Sequence, residues 1–234
     1  MNRLANILLV AIALQMAACA SVPTSPRADE VRSRVMPWIE SQMALGSFST
    51  NADLHLVAFK EERVLEAWMK EPLTGHYKLF KSWPICKISG GIGPKTREGD
   101  NQAPEGFYRI TAQQLNPNSQ FHLAFNIGYP NDYDRALGRT GSMLMVHGDC
   151  VSKGCYAMTD DGIEEIYMLV EYAMRHGQST IPVDLYPFRM TDQNMARHAK
   201  SPHLAFWQAM QGGYKTYEED TAPSAPFIFA AFGS

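Results

Sequence analysis

The stretch Met143-Leu144-Met145-Val146-His147-Gly148-Asp149-Cys150-Val151-Ser152-Lys153-Gly154-Cys155-Tyr156-Ala157-Met158 decides how this chain is read. An apolar run from Ser142 to Val146, read as a strand, delivers His147 into Gly148-Asp149, and Cys155 follows behind Ser152-Lys153-Gly154. A thiol and an imidazole returned to one another by a short loop are the minimum parts of a cysteine nucleophile and its base. Gly148 is expected to let the backbone turn sharply after the histidine. Gly154 is expected to let a substrate carbonyl approach the main chain beside Cys155. Plainer readings stand beside this one. A cysteine in an apolar segment is commonly a small buried hydrophobe. Two cysteines and a histidine this close together could also be half of a zinc site. No further ligand with fitting spacing is seen, so neither a metal nor a cofactor is expected.

Outward from that stretch, strands dominate the first two thirds of the chain. Within Leu54 to Phe59, Leu54, Leu56 and Ala58 alternate with His55, Val57 and Phe59, Lys60-Glu61-Glu62-Arg63 reads as a polar hairpin connection into Val64 to Met69, and His76 to Ile85 supplies a third strand. His55 and His76 read as surface or sheet-edge histidines. Lys87 to Gln102, with its glycines from Ser89 to Gly93, reads as an irregular segment bordering the cleft. Gly106 to Thr111, Phe121 to Ile127 and Val183 to Arg189 are further strand candidates. Arg139, in the polar segment before the histidine-bearing strand, is a candidate substrate contact. Thr159-Asp160-Asp161 reads as a helix start, with Ile166, Leu169, Val170 and Ala173 at helical spacing and an end near Gly177. Helices are expected at Pro26 to Leu45 and from Thr191 and Pro202. This order gives a β-rich mixed α/β domain, not a doubly wound fold.

His-Gly followed by Ser-x-Gly-Cys resembles the signature of the YkuD-type L,D-transpeptidase family, and the short loop from His147 to Met158 resembles its YafK-like branch. The likeness extends to Trp83-Pro84-Ile85-Cys86, Ser89 to Lys95, Arg97-Glu98-Gly99-Asp100, Ala103 to Tyr108, Leu115 to Ser119 and Gly138 to Ser142. It covers roughly Asp53 to Arg197. The resemblance implies a YkuD-type β-sandwich-like catalytic domain with added helices, and a cysteine enzyme acting on peptidoglycan stem peptides. The branch implies a murein L,D-transpeptidase or peptidoglycan–lipoprotein amidase, with a wall-linked lipoprotein as possible partner. Cys155 is then the nucleophile and His147 its base. The Gly148 carbonyl orients the imidazole, and backbone N–H groups around Gly154 and Cys155 form the oxyanion hole. Ser152, Lys153 and Tyr156 join Arg139 as candidate substrate contacts, and Asp149 reads as a loop cap. This chain has Lys153 and Ala157 where many family members carry histidine and arginine or asparagine. The motif does not separate hydrolysis of a peptidoglycan–lipoprotein amide from transpeptidation, and a noncatalytic peptidoglycan-binding lipoprotein is the reading from another class.

The first nineteen of the 234 residues read as an export signal: Arg3 gives a basic start, Leu4 to Ala18 is apolar, and Met16-Ala17-Ala18-Cys19 resembles a lipobox. Ordinary cleavage near Ala18 is the competing reading. The chain divides into signal (1–19), a Ser/Pro/Thr-rich tether (20–27), an N-terminal helix segment (28–52), the catalytic domain (53–190) and a helical C-terminal extension (191–234). Lipidation at Cys19 would hold the domain in the periplasm at the outer membrane, with no other membrane contact. The formal charge of −3 and scattered basic residues give no sign of a nucleic-acid partner. Export also bears on Cys86, Cys150 and Cys155. A Cys86–Cys150 disulfide alone leaves the nucleophile free, a Cys150–Cys155 bridge would disable it, and three free thiols remain the alternative.

Overall fold

The computed structural model describes residues 21–218. The expected signal, the Cys19 lipidation site and the end of the C-terminal extension lie outside those residues.

Helix α1 (Pro26–Leu45) begins where Ser25 caps it, accepting from the Ala28 N–H, and Pro26 occupies the first turn, where a missing N–H costs nothing. Its buried stripe, Val31, Val35, Ile39 and Met43, recurs every four residues and packs on α3 (Asp160–Arg175). Arg32 reaches Glu171 at 2.6 Å and Arg34 reaches Glu164 at 2.6 Å across the same seam. The expected tether is therefore shorter than residues 20–27. Ser25 is buried and donates to the Pro117 carbonyl, and Arg27 donates to the Ser119 carbonyl at 2.9 Å, so the segment is docked from Ser25 onward.

Among the described residues, ten strands form two five-stranded sheets. The first contains β1 (Leu54–Phe59), β2 (Val64–Lys70), β3 (Tyr77–Pro84), β5 (Gly106–Ile110) and β10 (Ile181–Tyr186), in the order β3-β2-β1-β10-β5. The second contains the short strands β4 (Lys87–Ile88), β6 (Leu115–Asn116), β7 (Ala124–Asn126), β8 (Met145–His147) and β9 (Tyr156–Ala157), in the order β4-β9-β8-β7-β6. One apolar cluster runs through both sheets and α3, joining Leu54, Leu56 and Val183 to Phe125, Val146, Tyr156 and Ile166. A second gathers Phe59, Tyr186 and Phe188 around Trp207 of α5 (Leu204–Glu218). The short helices α2 (Asp132–Ala136) and α4 (Asp192–Arg197) are the remaining α-helices among the described residues. The architecture is the mixed α/β fold with added helices that was expected.

Two polar residues are placed differently from expectation. β1 is central and all six of its residues are buried, so His55 is interior, with Nε2 3.2 Å from Asp184 of β10. Lys60, in the supposed polar hairpin, is also buried. Its ammonium donates to Glu105 Oε1 at 3.0 Å and to the carbonyls of Gly93 and Ala103 at 2.9 Å, and burial lowers its pKa despite Glu105. Glu105 further accepts from the Gly93 N–H and from Trp207 Nε1. This network pins the glycine-rich segment between the first sheet and α5. Hydrogen-bonded pairing of this kind is what makes a buried charge tolerable.

Candidate active site

β8 and β9 run parallel, with Val146 opposite Tyr156 and His147 opposite Ala157. Parallel neighbours usually require a crossover of a dozen or more residues. Here residues 148–155 make the return, so the loop is tightly constrained. Side chains alternate along a strand. His147, Ala157 and Cys155 therefore lie on one face, and Val146 and Tyr156 lie on the other, in the core. Cys155, one residue before β9, falls diagonal to His147 in that register.

Three devices hold the return. Asp149 (φ 65°) and Cys150 (φ 34°) take left-handed backbone, and the Asp149 N–H donates to Asp160 Oδ1 at 2.9 Å in the first turn of α3. Cys150 is disulfide-bonded to Cys86, at the junction of β3 and β4, with Cα atoms 5.2 Å apart, while Cys155 is free. The bridge also removes Cys150 as a thiolate ligand for a metal. Among the described residues no cluster of His, Cys, Asp or Glu is grouped to hold one. Finally, Ser152 Oγ donates to the Cys155 carbonyl at 2.7 Å, and Ser89 Oγ lies 3.2 Å from Ser152 and accepts the Gly154 N–H.

The glycines act differently from expectation. Gly148 does not make the turn, which falls to Asp149 and Cys150. Its place requires glycine because a Cβ there would stand 2.4 Å from Asp160 Oδ1 and 3.1 Å from the Phe121 carbonyl. Gly154 takes φ 110°, where a side chain would be strained. Its N–H is engaged by Ser89, which removes it from the expected oxyanion donors.

His147 Nδ1 lies 2.5 Å from the Gly148 carbonyl. A carbonyl only accepts, so Nδ1 carries the proton and Nε2 presents the lone pair. The ring packs against Phe121, with centroids 4.7 Å apart. Burial lowers the imidazole pKa, and the Gly148 carbonyl and Asp149 only partly offset it. Burial likewise pushes the Cys155 thiol up, against the pull of the Met145 N–H and Lys95. The sulfur accepts from the Met145 N–H at 3.4 Å and faces the Met143 carbonyl at 3.7 Å. Both shifts favour the neutral forms, thiol and imidazole. Phe121, Met143 and Val151, on the segments that carry the pair, leave large apolar surfaces exposed.

Of the expected substrate contacts, Tyr156 is corrected. It is fully buried with its hydroxyl donating to the Pro104 carbonyl at 2.6 Å, because the residue after Cys155 in a strand must face the opposite way. Arg139 is ion-paired to buried Asp134 at 2.8 Å and lies over the rings of Tyr133 and Phe206. Ser152 braces the loop, and Lys153 is exposed upon it. Sequence reasoning overlooked Phe121, the backbone of Met143 and Met145, and Asp160. Ser89 stood within the glycine-rich rim, but nothing marked its bond to Gly154.

A free cysteine and a histidine whose Nδ1 faces the Gly148 carbonyl thus stand on neighbouring segments of the second sheet. Residues 56–184 match the L,D-transpeptidase catalytic domain (YkuD) family, and the chain belongs to that family. Over 170 residues it is 49% identical to YafK of Escherichia coli K12, provisionally named an L,D-transpeptidase, covering 73% of this chain and 68% of that one. YafK of Escherichia coli O157:H7 matches to the same extent. Among solved structures, the helical cell shape determining protein Pgp2 of Campylobacter jejuni aligns at 19% identity and TM-score 0.47, over 77% of this chain and 67% of that one. The family acts on peptidoglycan stem peptides, and its membership makes this chain a cell-wall enzyme.

Proposed function

We propose that Cys155 is the nucleophile and His147 the base of an enzyme that hydrolyses an amide joining a peptidoglycan stem peptide to a lipoprotein. The observation that carries the reading is the shared face of Cys155 and His147 together with the Nδ1–H tautomer. For attack, the thiol turns from the Met143 carbonyl and gives its proton to Nε2. The sulfur then adds to the amide carbonyl, and the C–N bond breaks as the imidazolium returns the proton to the leaving amine. Water, deprotonated by the same imidazole, cleaves the thioester and restores the thiol. Met145 N–H is aimed at the sulfur and stabilises its charged form. An amine in place of water would give transpeptidation from the same thioester.

The enzyme is placed in the periplasm, anchored through a lipid on Cys19. The apolar run ending in Met16-Ala17-Ala18-Cys19 supports this, and Cys19→Ala should release active protein to the soluble periplasmic fraction. Mass spectrometry of sacculi, linked lipoprotein and free stem peptides, incubated with enzyme or with Cys155→Ala, tests the reaction. Free lipoprotein released only by the wild type is expected. New cross-links without release would establish transpeptidation instead, and equal products from Cys155→Ala would overturn the nucleophile.

A further inference from the structure

Phe121, whose ring packs on His147 with centroids 4.7 Å apart, sits in a strap of chain (119–123) fastened at three points. At the site, the Phe121 and Leu123 carbonyls accept the Gly148 N–H at 3.0 and 3.3 Å. On α3, His122 Nε2 lies 2.8 Å from Glu164 Oε1, and the other Glu164 oxygen holds Arg34 of α1 at 2.6 Å. At the start of α1, the Arg27 guanidinium donates to the Ser119 carbonyl at 2.9 Å and to the His122 carbonyl at 2.5 Å. Between these ties His122 takes left-handed backbone, φ 65°, a conformation uncommon outside glycine. The Phe121 ring thus meets His147 while the next ring along, His122, meets Glu164. α1 ends before residue 56, where the match to the catalytic domain begins, so this clamp is an addition to that domain.

We propose that Arg27 and His122 are positioning residues through which α1 holds the Phe121 ring over the His147 imidazole. Its bearing on turnover rests on His147 being the base, but the imidazole reports the clamp whatever the reaction. Phe121 is 39% exposed and His147 only 2%, so the phenyl ring is an outer cover of the imidazole. Arg27 bridges carbonyls on either side of Phe121 and thereby fixes how that cover is presented. Keeping water off the ring disfavours its charged form and leaves it a free base. Of the acidic groups around it, Asp149 acts on the imidazole itself. Glu164 is taken up by Arg34 and His122, and Asp160 by the Asp149 N–H.

The plainer role of α1 is stability, since its apolar stripe packs on α3. NMR titration of the His147 ring in the full chain, with the resonance assigned by its loss in His147→Gln, separates the two roles. Arg27 is exposed, so Arg27→Met leaves the core intact and unfastens the strap. His122→Asn supplies a residue that accepts left-handed backbone and is too short for the bond to Glu164. In both variants water reaches the imidazole, and its midpoint should rise by about half a pH unit toward the ordinary value. Arg27→Lys keeps a donor for the two carbonyls and should restore most of that shift. Ile39→Val lies twelve residues beyond Arg27, about 18 Å along the same helix. It should lower the melting temperature and leave the midpoint where it was. An unmoved midpoint in either strap variant overturns the proposal. So does a fall, the mark of a lost Gly148 carbonyl, or an equal rise in Ile39→Val.

Discussion

Gly148→Ala is expected to damage the protein through Asp160, a residue that makes no direct contact with the thiol. The new Cβ would sit 2.4 Å from Asp160 Oδ1, over one ångström inside ordinary contact. It has little room to retreat, because the Phe121 carbonyl and His122 Cβ also lie at 3.1 Å and the Gly148 N–H is bound to the Phe121 and Leu123 carbonyls. The carboxylate must move, which breaks its 2.9 Å bond to the Asp149 N–H. A hydrogen bond to a charged group contributes about 1.5–3 kcal/mol. For a domain of this size that loss lowers the melting temperature by about 5–10 °C. The Gly148 carbonyl that fixes the imidazole shifts with it, so turnover falls as well. Calorimetry should be run beside Gly91→Ala, where no neighbour lies within 4 Å of an added Cβ. Asp160→Ala should cost about the same as Gly148→Ala, and the double variant little more than either, since one bond is lost in all three. If Gly148→Ala melts with Gly91→Ala, or the two losses simply add, the reasoning is refuted.

Removing the disulfide as Cys86→Ala/Cys150→Ala frees a loop with a sequence separation of 64, and chain entropy puts the cost at about 4 kcal/mol, measurable by urea unfolding. For Asp100, burial opposes ionisation, but Lys95 and three backbone N–H groups outweigh it and hold the carboxyl at about 2. Its folded pKa lies below the unfolded one, so its roughly 2 kcal/mol is whole above about pH 4 and lost as pH falls to about 2. Denaturation of Asp100→Asn against wild type should therefore differ at neutral pH and converge in acid. Tyr156→Phe removes one buried bond, to Pro104. It should lower stability by about 1 kcal/mol with KM unchanged, whereas a raised KM would return Tyr156 to the substrate site. The imidazole is held below its usual range by burial. It stays an unprotonated base to lower pH, and the acid limb of kcat/KM should fall below the ordinary histidine value near about 6.5.

What the sequence made legible was local. His147 and Cys155 are eight residues apart, and it is the parallel register of β8 and β9 that sets Cys155 diagonal to His147. The alternation along β9 sends Tyr156 into the core beside Val146. α3 announced itself through its capped start and the helical spacing of Ile166, Leu169, Val170 and Ala173, and α1 was expected over its observed range. Long-range pairing was hidden. Alternation in β1 suggested a half-buried strand, but β10 arrives 129 residues after His55 carrying Asp184 and encloses the histidine. Lys60 looked like a hairpin charge because Glu105 and Trp207, which make its burial tolerable, lie far along the chain. Strands of two residues, such as β4, β6 and β9, are too short to show any period.

The site's electrostatics favour one order of events. A free thiol near pKa 8.5 and an imidazole near 6.5 already disfavour proton transfer by about 3 kcal/mol. Burial moves the two further apart, so an imidazolium–thiolate pair is not the ground state here. The protein's compensating groups act on the charged forms instead: the Met145 N–H on the sulfur, and the Gly148 carbonyl with Asp149 on the imidazolium. Groups that favour charge only once the proton has moved lower the barrier more than they tighten ground-state binding. A protonated thiol facing the Met143 carbonyl is also a poorer target for oxidants than a standing thiolate. With Cys150 of the disulfide five residues away, a cysteine that ionises only during attack, as in the proposed mechanism, keeps itself available for the next substrate.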